Sequence, residues 1–249
     1  MMNVFVINRK KDIGRKEYII QHFKEKGIER YSFFEAVEGR DLDSNFIKRC
    51  NGYLSKTLQR AKGLNVGEIG CALSHLEIYK KIVNEGLAGA LIFEDDVEIL
   101  KDNLLGFVED FNKQLSENVG YICHLGEKTL RKSKVYKKDI YQLKRSHYTY
   151  SYYIDRIGAE RMLRAFGEYP YMSIDSFKQL IYMKVIKLYG KELEPQCKMR
   201  HDFASTIDNA VKRQKANFFI RTILRPIRSL VVYLYLPIKF KMSKNRFKS

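Results

Sequence analysis

The stretch Leu91-Ile92-Phe93-Glu94-Asp95-Asp96-Val97-Glu98 decides how this chain is read. An apolar run of strand type, Ala90 to Phe93, ends directly in three consecutive carboxylates. Like charges crowded at a strand end repel, so something positive must sit among them. Strand side chains alternate, which puts Glu94 and Asp96 on one side and Asp95 on the other. Two same-side carboxylates at the carboxyl end of a sheet strand stand where α/β proteins bind ligands. Hard oxygen ligands there suit Mg2+ or Mn2+, with water and substrate phosphate completing the shell. The plainer alternative is a solvated acidic turn that ends the strand.

Outward from this stretch, the pattern alternates between strand and helix. Val4 to Ile7 predicts a first buried strand, followed by a helical pattern at Ile13, Tyr18, Ile19 and Phe23 that stops at Gly27. Tyr31 to Ala36 predicts a second strand. From Gly67 to Glu85 apolar residues recur at three and four (Ile69, Ala72, Leu73, Leu76, Tyr79, Ile82, Val83), which predicts a helix stopped by Gly86. A helix over 104–115, a strand over 119–125, an aromatic strand over 147–154 and a helix over 158–166 follow. Such alternation predicts an α/β fold with a Rossmann-type, mainly parallel sheet flanked by helices. The Lys- and Arg-rich segment 126–146 reads as an exposed loop or hairpin.

The 249 residues suffice for one large α/β domain with an appendage, and the 45% hydrophobic fraction is that of a globular chain. Cys50, Cys71, Cys123 and Cys197 are scattered without a CxxC pair. A disulfide framework or zinc ribbon is thus not expected, and a reducing cytoplasm is. The apolar start, Met1 to Asn8, lacks a basic n-region and a cleavage site, and reads as a strand rather than a signal peptide. Of the net charge of +17, eleven units fall in residues 209–249, which hold eleven Lys/Arg and no Asp/Glu. That tail predicts an anionic partner.

A second motif is Gly67-Glu68-Ile69-Gly70-Cys71-Ala72-Leu73-Ser74-His75. On a helix, Glu68 and His75 lie about 20° apart, with Cys71 roughly 40–60° from them. The three flank the apolar face, where they can line a cleft or simply pack. Zinc fits these residue types, but a third and fourth ligand at proper spacing are missing.

Together these residues resemble glycosyltransferase family 25, bacterial enzymes of lipooligosaccharide and lipopolysaccharide assembly with animal collagen galactosyltransferases as relatives. The two signatures just quoted carry most of the likeness. Val4 to Asn8 with Arg15 is similar to the family's opening strand and arginine, and Ala36-Val37-Glu38-Gly39 to its A-V-D-G segment, with Glu38 for Asp. Thr149-x-Ser151-Tyr152-x-Ile154 and Ile174-Asp175 are similar to its later segments. Asp155 and Ser173 depart from the pattern, and 197–207 keeps only Ser205 and Ile207 of its ending, which leaves His201 and Asp202 without a role. The likeness covers about residues 3–207.

The resemblance implies a GT-A-like catalytic domain, taken as 1–208, and inverting transfer of a sugar, typically galactose, from a UDP-sugar; UDP-glucose is the alternative donor. It implies a divalent cation, Mn2+ or Mg2+, held by Glu94 and Asp96. Asn8, Arg9, Arg15, Val37, Glu38, Gly39, His75, Asp95 and Tyr152 would contact the donor. An inverting reaction needs a general base for the acceptor hydroxyl. Asp175 leads, with helix N-cap as its other reading, and Glu68 competes.

A non-catalytic membrane or nucleic-acid binder would account for the basic tail but not for the acidic cluster, and no nucleic-acid-binding motif is present. Plotted as a helix, 218–235 sets Arg221, Arg225 and Arg228 opposite Phe219, Ile220, Ile223, Ile227, Leu230 and Leu234. This predicts a basic amphipathic C-terminal segment, 209–249, lying on an anionic membrane surface. The alternative packs its apolar face on the catalytic domain. The run Leu230 to Ile238 is far shorter than the ~20 residues of a bilayer crossing. A lipid-linked glycan acceptor and a location on the cytoplasmic face of the bacterial inner membrane complete the expectation.

Overall fold

The computed structural model of the chain describes residues 2–58, 63–115, 120–126, 134–137, 140–144, 146, 148–190, 195–200, 227 and 229–243. Strand β1 (Asn3–Asn8), helix α1 (Ile13–Glu25) and β2 (Ser32–Glu35) open it. A 3-10 turn at Gly39–Asp41 leads to α2 (Ser44–Cys50), α3 (Tyr53–Leu58) and the long α4 (Val66–Asn84). Then come β3 (Gly89–Glu94), β4 (Val97–Ile99), α5 (Leu104–Gln114), β5 (Tyr121–His124), β6 (Lys134–Lys137), β7 (Ile140–Gln142) and β8 (Ser151–Asp155). Helices α6 (Arg156–Phe166) and α7 (Phe177–Tyr182), strands β9 (Lys187–Gly190) and β10 (Cys197–Met199), a π-turn at Val231–Tyr235 and α8 (Leu236–Ser243) complete the described chain.

Eight strands form one sheet in the order β2-β1-β3-β8-β5-β9-β7-β6, and β10 pairs with β4 outside it. β1 runs parallel to β2 and β3, and β5 to β9, while β8 and β7 are reversed against their neighbours. Six of the eight strands thus run the same way, so the sheet is mixed but mainly parallel in strand direction, as the alternation of strands and helices predicts. Four of its seven pairings are nonetheless antiparallel. The segment expected as a loop or hairpin supplies β6 and β7 at the sheet edge.

Side-chain alternation divides the core in two. Phe5, Ile7, Ala90, Ile92, Ile122, Tyr152, Ile154 and Leu188 face α4, α6 and α7. Val4, Val6, Leu91, Phe93, Tyr121, Cys123, Tyr153 and Tyr189 face α1 and α5. The result is helices on both faces of a sheet, the arrangement that buries near-continuous apolar strands.

The last helix resolves the choice left open for the C-terminal segment in one respect. Val232, Leu236 and Phe240 are buried in the core beside α6 and α7. Arg164 lies over the Phe240 ring, Lys239 over Tyr171, and Tyr233 against Tyr182. One apolar face thus packs on the domain, while Leu230, Leu234, Ile238 and Met242 remain exposed on another. The expected arginine face at Arg221, Arg225 and Arg228 lies outside the described residues, as do His201, Asp202, Ser205 and Ile207. Among the described residues no helix is long and apolar enough to cross a membrane.

Candidate active site

The site forms where β1, β2, β3 and β5 end at their carboxyl termini and the start of β8 meets them. Its floor is built by the loop after β2 packing on the Gly67–His75 signature at the start of α4. Val37 donates its backbone N–H to Ser74 Oγ (2.9 Å), and Ser74 donates to the Gly70 carbonyl (2.8 Å). A Cβ on Gly39 would lie 1.8 Å from the Val66 carbonyl oxygen, and one on Gly70 2.6 Å from that of Val37. Both glycines are required by this close approach of the loop after β2 to α4, a backbone contact no side chain permits. Gly39 and Val37 therefore hold the loop in place. Glu68 closes a capping box: its carboxylate accepts the Asn65 N–H (2.9 Å) while Asn65 accepts that of Glu68 (2.8 Å).

The positive group required beside the three carboxylates is, among the described residues, Arg15. Its Nη1 donates to Asp95 Oδ1 at 2.7 Å and lies 3.5 Å from Asp96 Oδ2. Asn8 donates to Asp95 Oδ2 at 2.8 Å. Burial raises the Asp95 carboxyl, and Arg15 and Asn8 pull it back without cancelling the rise. The alternation argument therefore needs correction. β3 ends at Glu94, Asp95 and Asp96 lie in the turn to β4, and both face Arg15. Arg9 pairs with Glu38 at 2.5 Å, and Lys11 with Glu38 at 2.9 Å, so the loop after β2 is tied to the end of β1.

Glu94 faces elsewhere. Its Oε1 accepts from Thr149 Oγ1 (2.7 Å) and lies 3.5 Å from His75 Nε2. Burial raises its carboxyl, but His75, Thr149 and the charge of Arg15 outweigh that and hold it below the ordinary value. Asp96 shows the opposite balance. Burial, then the charges of Glu94 and Asp95, push it up to about 7 against the pull of Arg15. Its Oδ1 is buried without a hydrogen-bond partner among the described residues. A buried carboxylate oxygen left bare beside a second carboxylate fits a hard divalent cation.

His75 is fully buried, and its Nδ1 shares a 2.8 Å hydrogen bond with the Tyr152 hydroxyl, itself 2.6 Å from that of Tyr79. Tyr152 is also fully buried, so it reaches the cleft only through His75. Cys71 stands one helical turn before His75, and its thiol is pushed well up, by burial first and then by Glu94 and Asp175. Asp175 is half-buried beside this group and accepts the Tyr148 N–H at 3.4 Å. It is not the helix cap: Ser176 takes the N-cap position of α7. Tyr148 is 57% exposed with a left-handed backbone (φ 66°), a conformation that costs energy.

The structure thus gathers Asn8, Arg15, Asp95 and Asp96 on one side and Glu94, His75, Tyr152 and Asp175 on the other. Thr149 and Tyr148 are the site residues that sequence reasoning left without a role, and Cys71, weighed there as cleft-lining or packing beside His75, joins them in the site. Thr149 stands in the Thr149-x-Ser151-Tyr152 segment, the signal that could have found it.

These features define an α/β protein with carboxylates, an arginine and a histidine gathered at the carboxyl ends of its sheet strands, where α/β proteins bind ligands. The chain belongs to glycosyltransferase family 25: the model described as "Glycosyltransferase family 25 (LPS biosynthesis protein)" matches residues 1–178. It is 29% identical over 195 residues to mouse procollagen galactosyltransferase 2, covering 73% of this chain and 30% of that protein. It is 27% identical over 188 residues to human inactive glycosyltransferase 25 family member 3, covering 72% and 31%. The chain spans about a third of the length of the curated relatives it matches. A solved glycosyltransferase involved in glycosylation of the PBCV-1 major capsid superposes with TM-score 0.36 at 9% identity, over 73% of this chain and 74% of that one.

Proposed function

We propose that the chain is an inverting glycosyltransferase that moves a sugar, galactose from UDP-galactose first, onto a lipid-linked lipooligosaccharide or lipopolysaccharide glycan. The observation that carries this reading is the bare, buried Asp96 Oδ1 next to Glu94 at a strand end. Relatives named both galactosyltransferase and inactive match this chain about equally well, so the site must carry the argument. Mg2+ or Mn2+ held by Glu94 and Asp96 would supply charge neutralisation for the departing diphosphate.

The chain's own residues do the rest. Arg15 fixes Asp95 and adds positive charge at Asp96. Tyr152 and Tyr79 orient the His75 ring, and Thr149 orients Glu94. The acceptor oxygen attacks the anomeric carbon, the bond from that carbon to the diphosphate oxygen breaks, and the acceptor proton passes to Asp175. Its release from a capping role leaves Asp175 available for this proton transfer. The exposed apolar face of α8 with the basic tail supports a membrane-surface location on the cytoplasmic side.

The test measures UDP release and transfer with UDP-galactose and UDP-glucose, with Mn2+ and with chelator, for the full chain and Asp175→Asn. The expected result is chelator-sensitive transfer and a kcat about 10²–10⁴-fold lower in the variant, with donor Kd and Tm unchanged. Transfer that survives the chelator removes the cation from the reading. An unchanged kcat in Asp175→Asn reassigns the base.

A further inference from the structure

We infer that Cys71, His75 and Glu94 form a binding site for a borderline-soft divalent cation of the zinc class. The inference shares Glu94 with the Mg2+ or Mn2+ position of the glycosyl-transfer reading, but its test follows a cation on Cys71 and His75, without nucleotide or sugar, so the two can fail separately.

Geometry comes first. One ligand atom from each of the three residues can be chosen so that all lie within 4.8 Å of one another. The His75 Nε2 to Glu94 Oε1 distance is 3.5 Å. In a tetrahedral zinc site, bonds of about 2.0–2.2 Å to nitrogen and oxygen set those two atoms about 3.3–3.5 Å apart. That edge of the tetrahedron already has its length, and the Cys71 sulfur lies within 4.8 Å of the other two ligand atoms.

The second observation is the state of His75. Its side chain is wholly buried, yet Nε2 lacks a hydrogen-bond partner among the described residues and points at Glu94. The 3.5 Å contact is at the limit of a hydrogen bond and does not satisfy it. The other ring nitrogen is bonded through Tyr152 to Tyr79. In the tautomer with the proton on Nδ1, donated to Tyr152, Nε2 carries a bare lone pair fixed in direction. Orienting a ligand histidine through its second nitrogen is how protein metal sites are built.

Scaffold and ligand chemistry agree with this. Cys71 and His75 are four apart on α4, so they share one helix face, and Glu94 ends β3. Ala72, Leu76 and Tyr79 of α4 and Ile92 of β3 belong to one buried cluster, so both elements are fixed in the same core. The ligands thus sit on rigid elements rather than on loops. One sulfur, one imidazole and one carboxylate match zinc and cobalt, whereas Mg2+ takes oxygen ligands. Three protein ligands leave a fourth position for water or an oxygen of a bound molecule.

The experiment titrates the full chain, after treatment with chelator, with Co2+ as a spectroscopic stand-in for Zn2+. One equivalent should produce a sulfur-to-cobalt charge-transfer band and intense visible bands of tetrahedral cobalt, both erased by Zn2+. Cys71→Ser should lose the charge-transfer band, and His75→Gln should weaken cobalt binding at least about tenfold, the scale on which perturbing a metal site's ligand set is felt. Cys50, Cys123 and Cys197 are buried elsewhere in the fold and remain in the serine variant, so its loss of the band identifies the sulfur. Circular dichroism reports whether each variant folds. If Cys71→Ser does not, Glu94→Gln replaces it and should weaken cobalt binding while keeping the band. No charge-transfer band in the unmodified chain, or a band that persists in folded Cys71→Ser, overturns the inference.

Discussion

Asp95 and Asp96 are neighbours in the chain and opposites in their surroundings. Both oxygens of Asp95 accept hydrogen bonds, one from Arg15 and one from Asn8. Asp96 has one oxygen near Arg15 and the other buried with no partner among the described residues. The fold has answered the charge of the first and left that of the second open. The difference separates the half of the acidic cluster that the fold itself satisfies from the half that, in the proposed function, a ligand completes. A buried polar group left unpaired costs the fold stability, and a ligand can recover that cost.

The largest effects should come from exchanging the two. Asp96→Asn removes charge without volume, and should lower transfer by about 10²–10³-fold, the scale of lost electrostatic stabilisation. Its Tm at pH 8 should match or exceed that of the unmodified chain. The sign follows from the carboxyl being raised to about 7: a folded-state value above the unfolded one makes the ionised form a burden above that pH. Asp95→Asn should do the reverse. An asparagine has one acceptor oxygen where Asp95 accepts from both Arg15 and Asn8, so one donor then faces an amide N–H. That should cost about 1–3 kcal/mol, the scale of a buried polar group left unsatisfied. Denaturant unfolding and steady-state rates on both variants check this. Equal stability losses in the two would erase the distinction.

The same contrast appears in the sequence reading. Much of the sheet was legible, because Val4 to Ile7 and Ala90 to Phe93 are short apolar runs of strand type and the helix beginning near Gly67 carries a clean period. The reversed direction of β8 was not, since a period of two has no direction. The acidic cluster was legible as chemistry, but its partner was not: Arg15 reaches it from α1 across eighty residues. Glu68 read as an acid–base candidate from its place beside His75, and only the Asn65 contact reveals a cap. The missing third ligand beside Cys71 and His75 lies on β3, so helical spacing could never have supplied it.

The two faces of the last helix sharpen the comparison at a smaller scale. Leu236 is fully buried against the domain, whereas Leu234 and Ile238 are 57% exposed. Leu236→Ala should cost about 2–5 kcal/mol. The double change Leu234→Ser with Ile238→Ser should alter stability by about 0.5 kcal/mol or less per site. That double variant should nonetheless cosediment less with anionic vesicles, in proportion to the apolar area lost from the outer face. Lys239 will contribute little there, because it packs over Tyr171. Cosedimentation equal to the unmodified chain would break the membrane reading and leave the inner face as the only role of the helix.

The smallest expected effect tests the comparison far from the site, at a buried base whose partner is a donor. His22 Nε2 accepts the Ile99 backbone N–H at 2.8 Å, and Tyr18 stacks on the ring at 5.3 Å. Accepting that bond requires Nε2 to be unprotonated. Burial, with the charge of Lys26, lowers the His22 pKa from its ordinary 6.5, against the weaker pull of Glu25 and Glu98. The unfolded chain therefore takes up this proton first as pH falls. The stability His22 contributes is present above about pH 6.5, the ordinary histidine value, and is lost as pH drops through it toward the lower folded value. Asp155, raised to about 6 mainly by burial, acts in the opposite sense and gains on acidification, so the total curve alone does not isolate His22. The difference between the unmodified chain and His22→Gln does. Glutamine can accept the Ile99 N–H through its amide oxygen but does not titrate. Melting temperatures of the two should converge as pH falls from 7.5 to 5, with the unmodified chain losing ground. Parallel curves across that range would mean that His22 is protonated alike in both states and that its bond to Ile99 does not exclude the proton.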